Sequence, residues 1–273
     1  MDRKSDKELA FLYDLYVATD WGERFAALVD QRVELPKTGR ALYLAAGTGG
    51  HAMALQERAG TTLKFLCADA SDECLELARA KAAATSTEIE FRRETPNALS
   101  FLDDEFDFVL GDGSMIASEL SSMFGEMVRV ARPGATVVWW LTTASSFGEF
   151  FSIYWEALLR AGLEDHITEI EDLIKELPTV AEVERWAERE GLENVLTWTS
   201  VEEFDYDSSD QFLNSPLITD FLLRTWLRPL PETDHQRVTD EIGRVIDEER
   251  REQVFALSMK ATLVVGKKSK LVQ

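Results

Sequence analysis

Residues 41–52 read Ala-Leu-Tyr-Leu-Ala-Ala-Gly-Thr-Gly-Gly-His-Ala, an apolar strand running straight into a glycine turn with an amphipathic helix opening behind it. No other stretch constrains the fold as strongly. A strand, a glycine turn and a helix in this order form the ligand edge of a parallel sheet, where nucleotide-like molecules bind. Gly47 and Gly49 permit backbone conformations that a side chain would block, and they let a ligand approach the main chain. The helix starting near Gly50 offers unpaired N–H groups at its positive end.

The segments around this loop keep the same rhythm. Residues 9–35 read as helical, with Phe11, Leu12, Leu15 and Tyr16 at helical spacing, followed by Phe25, Leu28 and Val29. Strands are predicted over 41–45, 62–68, 88–92, 106–111 and 136–141. Helices are predicted over 50–59, from Ser71 as a serine cap, and over 118–131. Pro133 and Gly134 are expected to turn the chain into the fifth strand. Alternation of this kind implies parallel pairing, right-handed crossovers and helices on both faces. Past Leu141 the rhythm loosens. Two helices are expected over 145–178, a helix capped by Thr179 over 180–190, and a strand over 194–206. A charged, mainly helical stretch follows over 208–251, and a closing strand over 254–266. The reading is one domain, 1–273, with an N-terminal helical segment (1–38) and two helical insertions (145–178 and 208–251).

Composition narrows the function classes. With 50 acidic against 29 basic residues the net charge is −21, and such a field repels a phosphate backbone. Nucleic acid and membrane are therefore not expected partners. Apolar runs are strand-length, far short of a membrane span. The first residues lead into no signal-peptide core, so a cytoplasmic protein is expected. Cys67 and Cys74 read as two thiols in a reducing compartment, and with three scattered His they offer no metal-ligand spacing.

Gly47-Thr-Gly49-Gly-His-Ala52 also satisfies a dinucleotide fingerprint, with Asp69 at the distance expected of an acidic ribose ligand. Taken alone, the loop fits a nicotinamide oxidoreductase or a protein that binds S-adenosylmethionine. The later segments separate these ligands. Residues 88–101, then Phe106-Asp-Phe-Val-Leu, then 130–138 with Arg132-Pro-Gly before an apolar strand, follow the glycine loop and Asp69 in order. The set, spanning residues 40–141, resembles the class I S-adenosylmethionine-dependent methyltransferases. Residues 177–184 and 189–195 are similar to that family's helix before strand six.

The resemblance implies a doubly wound, Rossmann-like, mostly parallel α/β sheet of about seven strands, the last one antiparallel. It implies S-adenosylmethionine as cofactor and methyl transfer to a small or medium-sized acceptor that is not strongly anionic. Ala46, Gly47, Thr48 and Gly49 would lie against the methionine and ribose, with Asp69 on the ribose hydroxyls and Ala70 beside the adenine. Thr95 and Pro96 stand where the family places an acid near the adenine amino group. Gly111 and Asp112 would pass close to the reactive methyl, and Tyr13 resembles tyrosines placed near the cofactor carboxylate. Tyr43 occupies the position of an acid that helps hold the cofactor's ammonium group. Tyr43 and Thr95 also motivate a second reading, a non-catalytic scaffold that keeps the fold.

Methyl transfer asks mainly for alignment of the nucleophile and exclusion of water. A base is needed where the acceptor is protonated, and Asp112, after the fourth strand, is the best-placed candidate. Its plain alternative is a turn aspartate. Phe147, Phe151 and Tyr154 read either as core packing or as a lid over the acceptor pocket. His51, opening the first helix after the loop, reads as a solvated terminus residue.

Overall fold

The structure, a computed structural model, describes residues 4–116, 119–249 and 254–270. The chain runs α1 (Asp6–Leu12), a π-helical stretch (Tyr13–Gly22), α2 (Glu23–Arg32), β1 (Gly39–Leu44), α3 (Gly50–Ala59), β2 (Leu63–Asp69), α4 (Asp72–Thr85) and β3 (Glu90–Arg93). There follow β4 (Phe106–Asp112), α5 (Leu120–Val130), β5 (Ala131–Thr143), α6 (Gly148–Arg160), α7 (Ile167–Lys175) and α8 (Val180–Arg189). The last elements are β6 (Leu192–Tyr206), α9 (Ser209–Asn214), a second π-helical stretch (Leu217–Leu222), α10 (Leu223–Trp226), α11 (Glu232–Glu249) and β7 (Phe255–Lys268).

Where one domain with insertions was expected, the chain divides into two compact units. The first contains Lys4–Leu141, Thr179–Thr199 and the residues from Ala261 on. The second contains Thr142–Pro178 and Ser200–Lys260, so it gathers both expected insertions into one body.

The strands form one sheet in the order β3-β2-β1-β4-β5-β7-β6. β1 pairs in parallel with β2 and with β4, β2 with β3, and β4 with β5, while the last strands run antiparallel. The order reverses between β1 and β4, and a crevice opens at such a switch point beyond the strand ends. The glycine loop leaves β1 and Asp112 closes β4, so the topology alone brings them to one edge.

Local chemistry explains most element boundaries. Ser71 Oγ accepts the Cys74 amide at 3.1 Å and starts α4, and Thr179 forms a reciprocal capping box with Glu182 to start α8. α5 buries Leu120, Met123, Phe124, Met127 and Val128, one stripe at helical spacing, against the sheet. Trp139 of β5 stacks on Phe124 with ring centres 4.8 Å apart.

One boundary differs from expectation. Pro133 and Gly134 do not separate α5 from a later strand, because β5 begins at Ala131. Phe106 pairs with Ala131 and Phe108 with Thr136, so the intervening residues bulge out of register and absorb the turn inside the strand. Ser118, the expected start of α5, and Arg251, the expected end of the charged helical stretch, lie outside the described residues.

In the second unit, α6 packs its aromatic face inward. Phe150 stacks on Trp226 at 4.0 Å, and Phe147 and Phe151 meet the same indole edge-on. Tyr154 is fully buried, and its hydroxyl donates to the Trp226 carbonyl at 3.2 Å. Among the described residues no helix is long and apolar enough to cross a membrane.

Candidate functional site

β1 is buried on both sides, and its side chains alternate between the two faces of the sheet. Tyr43 points to the face covered by the N-terminal helices and α3, where Trp140 of β5 meets it edge-on at 5.6 Å. Beyond Leu44 the chain turns through Ala45, Gly47 and Gly49, all at positive φ (55°, 55° and 75°). Gly49 then caps α3 with no side chain bonded to the helix end. Space as well as conformation requires glycine at Gly47. A β-carbon there would lie 2.7 Å from the ring of Tyr13.

Two polar ties hold the N-terminal helical segment over this loop. At one end, the Asp14 carboxylate accepts from Thr48 Oγ1 at 2.5 Å and from Lys81 Nζ at 2.6 Å. At the other, Trp21 Nε1 donates to Ser114 Oγ at 3.0 Å, and Ser114 donates from its amide and hydroxyl to Asp112 at 2.8 and 2.6 Å. Between these ties lies a cavity of about 450 Å³. Tyr13, Tyr43, His51 and Trp140 give it aromatic walls, and Ala18, Ala26 and Ala54 leave it room.

The sequence-selected residues fall in several places. Ala46, Thr48, Gly49, Asp112 and Tyr13 line this one cavity, with Gly47 under Tyr13. Asp69 stands beside them, accepting the Gly47 amide at 2.8 Å on one oxygen and the Ser71 amide at 2.9 Å on the other. Ala70, Thr95 and Pro96 lie apart from the cavity at the ends of β2 and β3, with Thr95 bridging to Ala98 in a tight turn. The acid next to Thr95, Glu94, is buried and engaged by Ser100 and Arg92. Gly111 faces the other way. A β-carbon there would strike Met127 Sδ at 2.5 Å, so this glycine serves the packing of α5. Phe147, Phe151 and Tyr154 are buried in the aromatic core of the second unit.

Burial raises the pKa of Asp112, partly offset by the two Ser114 hydrogen bonds. The Trp140 indole N–H makes no hydrogen bond, yet it lies close enough to Asp112 to help hold that pKa down. Burial also raises Asp69, against the hydrogen bonds from Ser71 and Gly47. Tyr13 and Tyr43 are pushed far up by burial and then by Asp112, so both phenols stay protonated. Cys67 and Cys74 are free thiols, and burial pushes Cys74 up to about 11.

Several site residues had no local signal in the sequence. Tyr43 Oη lies 3.2 Å from His51 Nδ1, and His51 Nε2 lies 3.5 Å from Asp30, which Arg58 binds at 2.7 Å. Only 15% of the His51 side chain is exposed, so it is a packed member of the cavity wall rather than a solvated helix end. Asp14, Asp30, Lys81 and Trp140 come from four different elements and meet only through the tertiary fold.

The donor set fits S-adenosylmethionine. The Gly47 and Gly49 turn leaves main chain uncovered by β-carbons, an acid closes β2, and the buried carboxylate of Asp112 faces the cavity. A bulky cation would balance that carboxylate, which the Trp140 indole N–H also approaches.

Residues 41–134 match the family model of a methyltransferase domain. An uncharacterized protein of Mycobacterium bovis is 33% identical over 36% of this chain, and the match spans 35% of its own length. The chain thus aligns with only about a third of the length of these first curated relatives. A demethylmenaquinone methyltransferase of Bacillus licheniformis is 29% identical over 60% of this chain and 75% of its own. Among solved structures, the YcgJ protein of Bacillus subtilis shares the fold with a TM-score of 0.59 at 18% identity, over 90% of this chain and 99% of that one.

Proposed function

We propose that this chain, whose residues 41–134 match the family model of a methyltransferase domain, transfers a methyl group from S-adenosylmethionine to a small or medium-sized acceptor. The observation that carries this reading is the cavity joining the glycine loop, Asp112 and Tyr13 at the sheet's switch point. When bound, S-adenosylmethionine supplies an electrophilic methyl on a sulfonium centre. The protein's part is to bind, orient and exclude water. Asp69 would take the ribose hydroxyls through the lone pairs left free by Gly47 and Ser71. Asp112 stands in for the acid missing at Tyr43, offering the cofactor's positive end a carboxylate with no cation of its own. Tyr13, seated over Gly47 in the cavity wall, would face the cofactor's amino-acid end.

The acceptor is a small molecule on this reading. A cavity of about 450 Å³ falls in the range of small-molecule sites, and the protein's net charge of −21 disfavours polyanions. The relatives that act on demethylmenaquinone suggest reduced naphthoquinones as first probes. Release of S-adenosylhomocysteine, followed across a panel of naphthoquinols, phenols, thiols and amines, tests the proposal. Acceptor-dependent release supports it. Cofactor binding without release across the panel favours a scaffold that keeps the fold without turnover, a reading that Tyr43 in place of an acid also supports.

A further inference from the structure

Resting on the reading above, we infer that Tyr43, His51 and Asp30 form a proton exit for the methyl acceptor. Tyr43 would touch the acceptor, and His51 and Asp30 would act through it.

The direction of the chain is part of the inference, and the tautomer of His51 decides it. Tyr43 is 4% exposed and its phenol stays protonated, and the exit assigns its O–H as the donor to His51 Nδ1 across the 3.2 Å contact. A neutral imidazole with Nδ1 unprotonated carries its hydrogen on Nε2, which faces Asp30 at 3.5 Å. The His51 contact is the largest cause of a lowered pKa at Asp30, which keeps that carboxylate ionised. A carboxylate behind an imidazole fixes its tautomer and stabilises the imidazolium that forms on proton uptake. Both Tyr43 and His51 line the cavity.

Other charged and polar groups surround the pair. The His51 ring faces Tyr43 from β1, Asp30 from α2 with Arg58 of α3 beyond it, and Trp140 from β5 at 5.7 Å. Asp112 from β4 lies close enough to raise the Tyr43 pKa, and both Ser114 donations fall on its Oδ1. Asp14 is held by Lys81 and Thr48.

The step balances. The acceptor's lone pair forms the bond to the methyl carbon, and the electron pair of the methyl–sulfur bond stays on sulfur. The acceptor's proton passes to Tyr43 Oη while the phenol's own proton passes to His51 Nδ1. The products are a methylated acceptor, a neutral thioether and an imidazolium beside Asp30. The acceptor class is therefore protic, an X–H group that must lose its proton as the methyl arrives.

The test compares wild type with Tyr43→Phe and His51→Gln. Calorimetry gives the affinity for S-adenosylhomocysteine, and kcat and KM are measured against pH on the probes of the acceptor panel that turn over. Nitrogen-15 NMR of histidine-labelled wild type reads the His51 tautomer. The expected result is kcat lower by roughly 100-fold in both variants, with S-adenosylhomocysteine still bound. The acidic limb of kcat should be lost in His51→Gln, and the wild-type tautomer should carry hydrogen on Nε2. A His51→Gln profile that superimposes on wild type, or a neutral His51 protonated on Nδ1, overturns the exit and leaves methyl transfer standing. Binding of S-adenosylhomocysteine with no probe methylated overturns both.

Discussion

Tyr13 is seated on Gly47 so closely that a β-carbon at that glycine would stand 2.7 Å from its ring. The contact joins the N-terminal segment to the turn that follows β1, two parts of the chain separated by the whole of α2. It makes the segment part of the cavity wall rather than an appendage of the sheet.

Gly47→Ala therefore carries two penalties. Its φ of 55° is unfavourable for any residue with a β-carbon, which costs about 1–2 kcal/mol, and Tyr13 must move. Chemical denaturation should show that loss. Calorimetry should show S-adenosylhomocysteine binding weakened by about tenfold or more, since each 1.4 kcal/mol is a factor of ten.

Lys81→Met removes the cation from Asp14 while Thr48 still donates to it. A hydrogen bond to a charged partner is worth about 1.5–3 kcal/mol, less where the pair is partly solvated. We expect a loss of about 1–2 kcal/mol in denaturation. Hydrogen exchange over residues 13–22 should quicken while the strands of the sheet keep their protection.

Asp112 gives a pH dependence whose sign is opposite to that of a salt-bridged acid. Burial raises its folded pKa above the unfolded value, so its ionised form costs stability, and that cost is absent below the unfolded pKa. Its stability contribution is thus fullest in acid and is lost as pH rises through the folded pKa. Asp112→Asn keeps an acceptor for Ser114 and should melt at a higher temperature than wild type near neutral pH. The gain should vanish below about pH 4, where the wild-type carboxyl is neutral in both states. Paired melts across pH check this. A gain that persists in acid contradicts it.

Phe150→Ala tests the assignment of the α6 aromatics. With its ring stacked on Trp226 and fully buried, its loss should destabilise the second unit by about 3–5 kcal/mol. Near-ultraviolet circular dichroism during thermal melting reads this directly.

Much of the sheet was legible in the sequence because its signals are local. The strand–glycine–helix order at 41–52, the serine cap at Ser71 and the capping box at Thr179 each need only neighbouring residues. The same holds for Asp112 at the exit of β4. The other half of the site was not legible because it is assembled across distance. Tyr43 and His51 are separated by the glycine turn, and only the fold of that turn brings their polar atoms to 3.2 Å. Asp14 and Lys81 meet across 67 positions. The direction of Gly111 was likewise not legible. Its place after β4 matched the family pattern, but strand alternation turns it toward Met127 and leaves Asp112 alone on the cavity side.

Titration of the intact protein with S-adenosylhomocysteine, followed by calorimetry, tests the central claim most directly. Saturable one-to-one binding at micromolar ligand is expected, weakened in Asp69→Ala. A folded protein that gives no binding heat at millimolar ligand contradicts it.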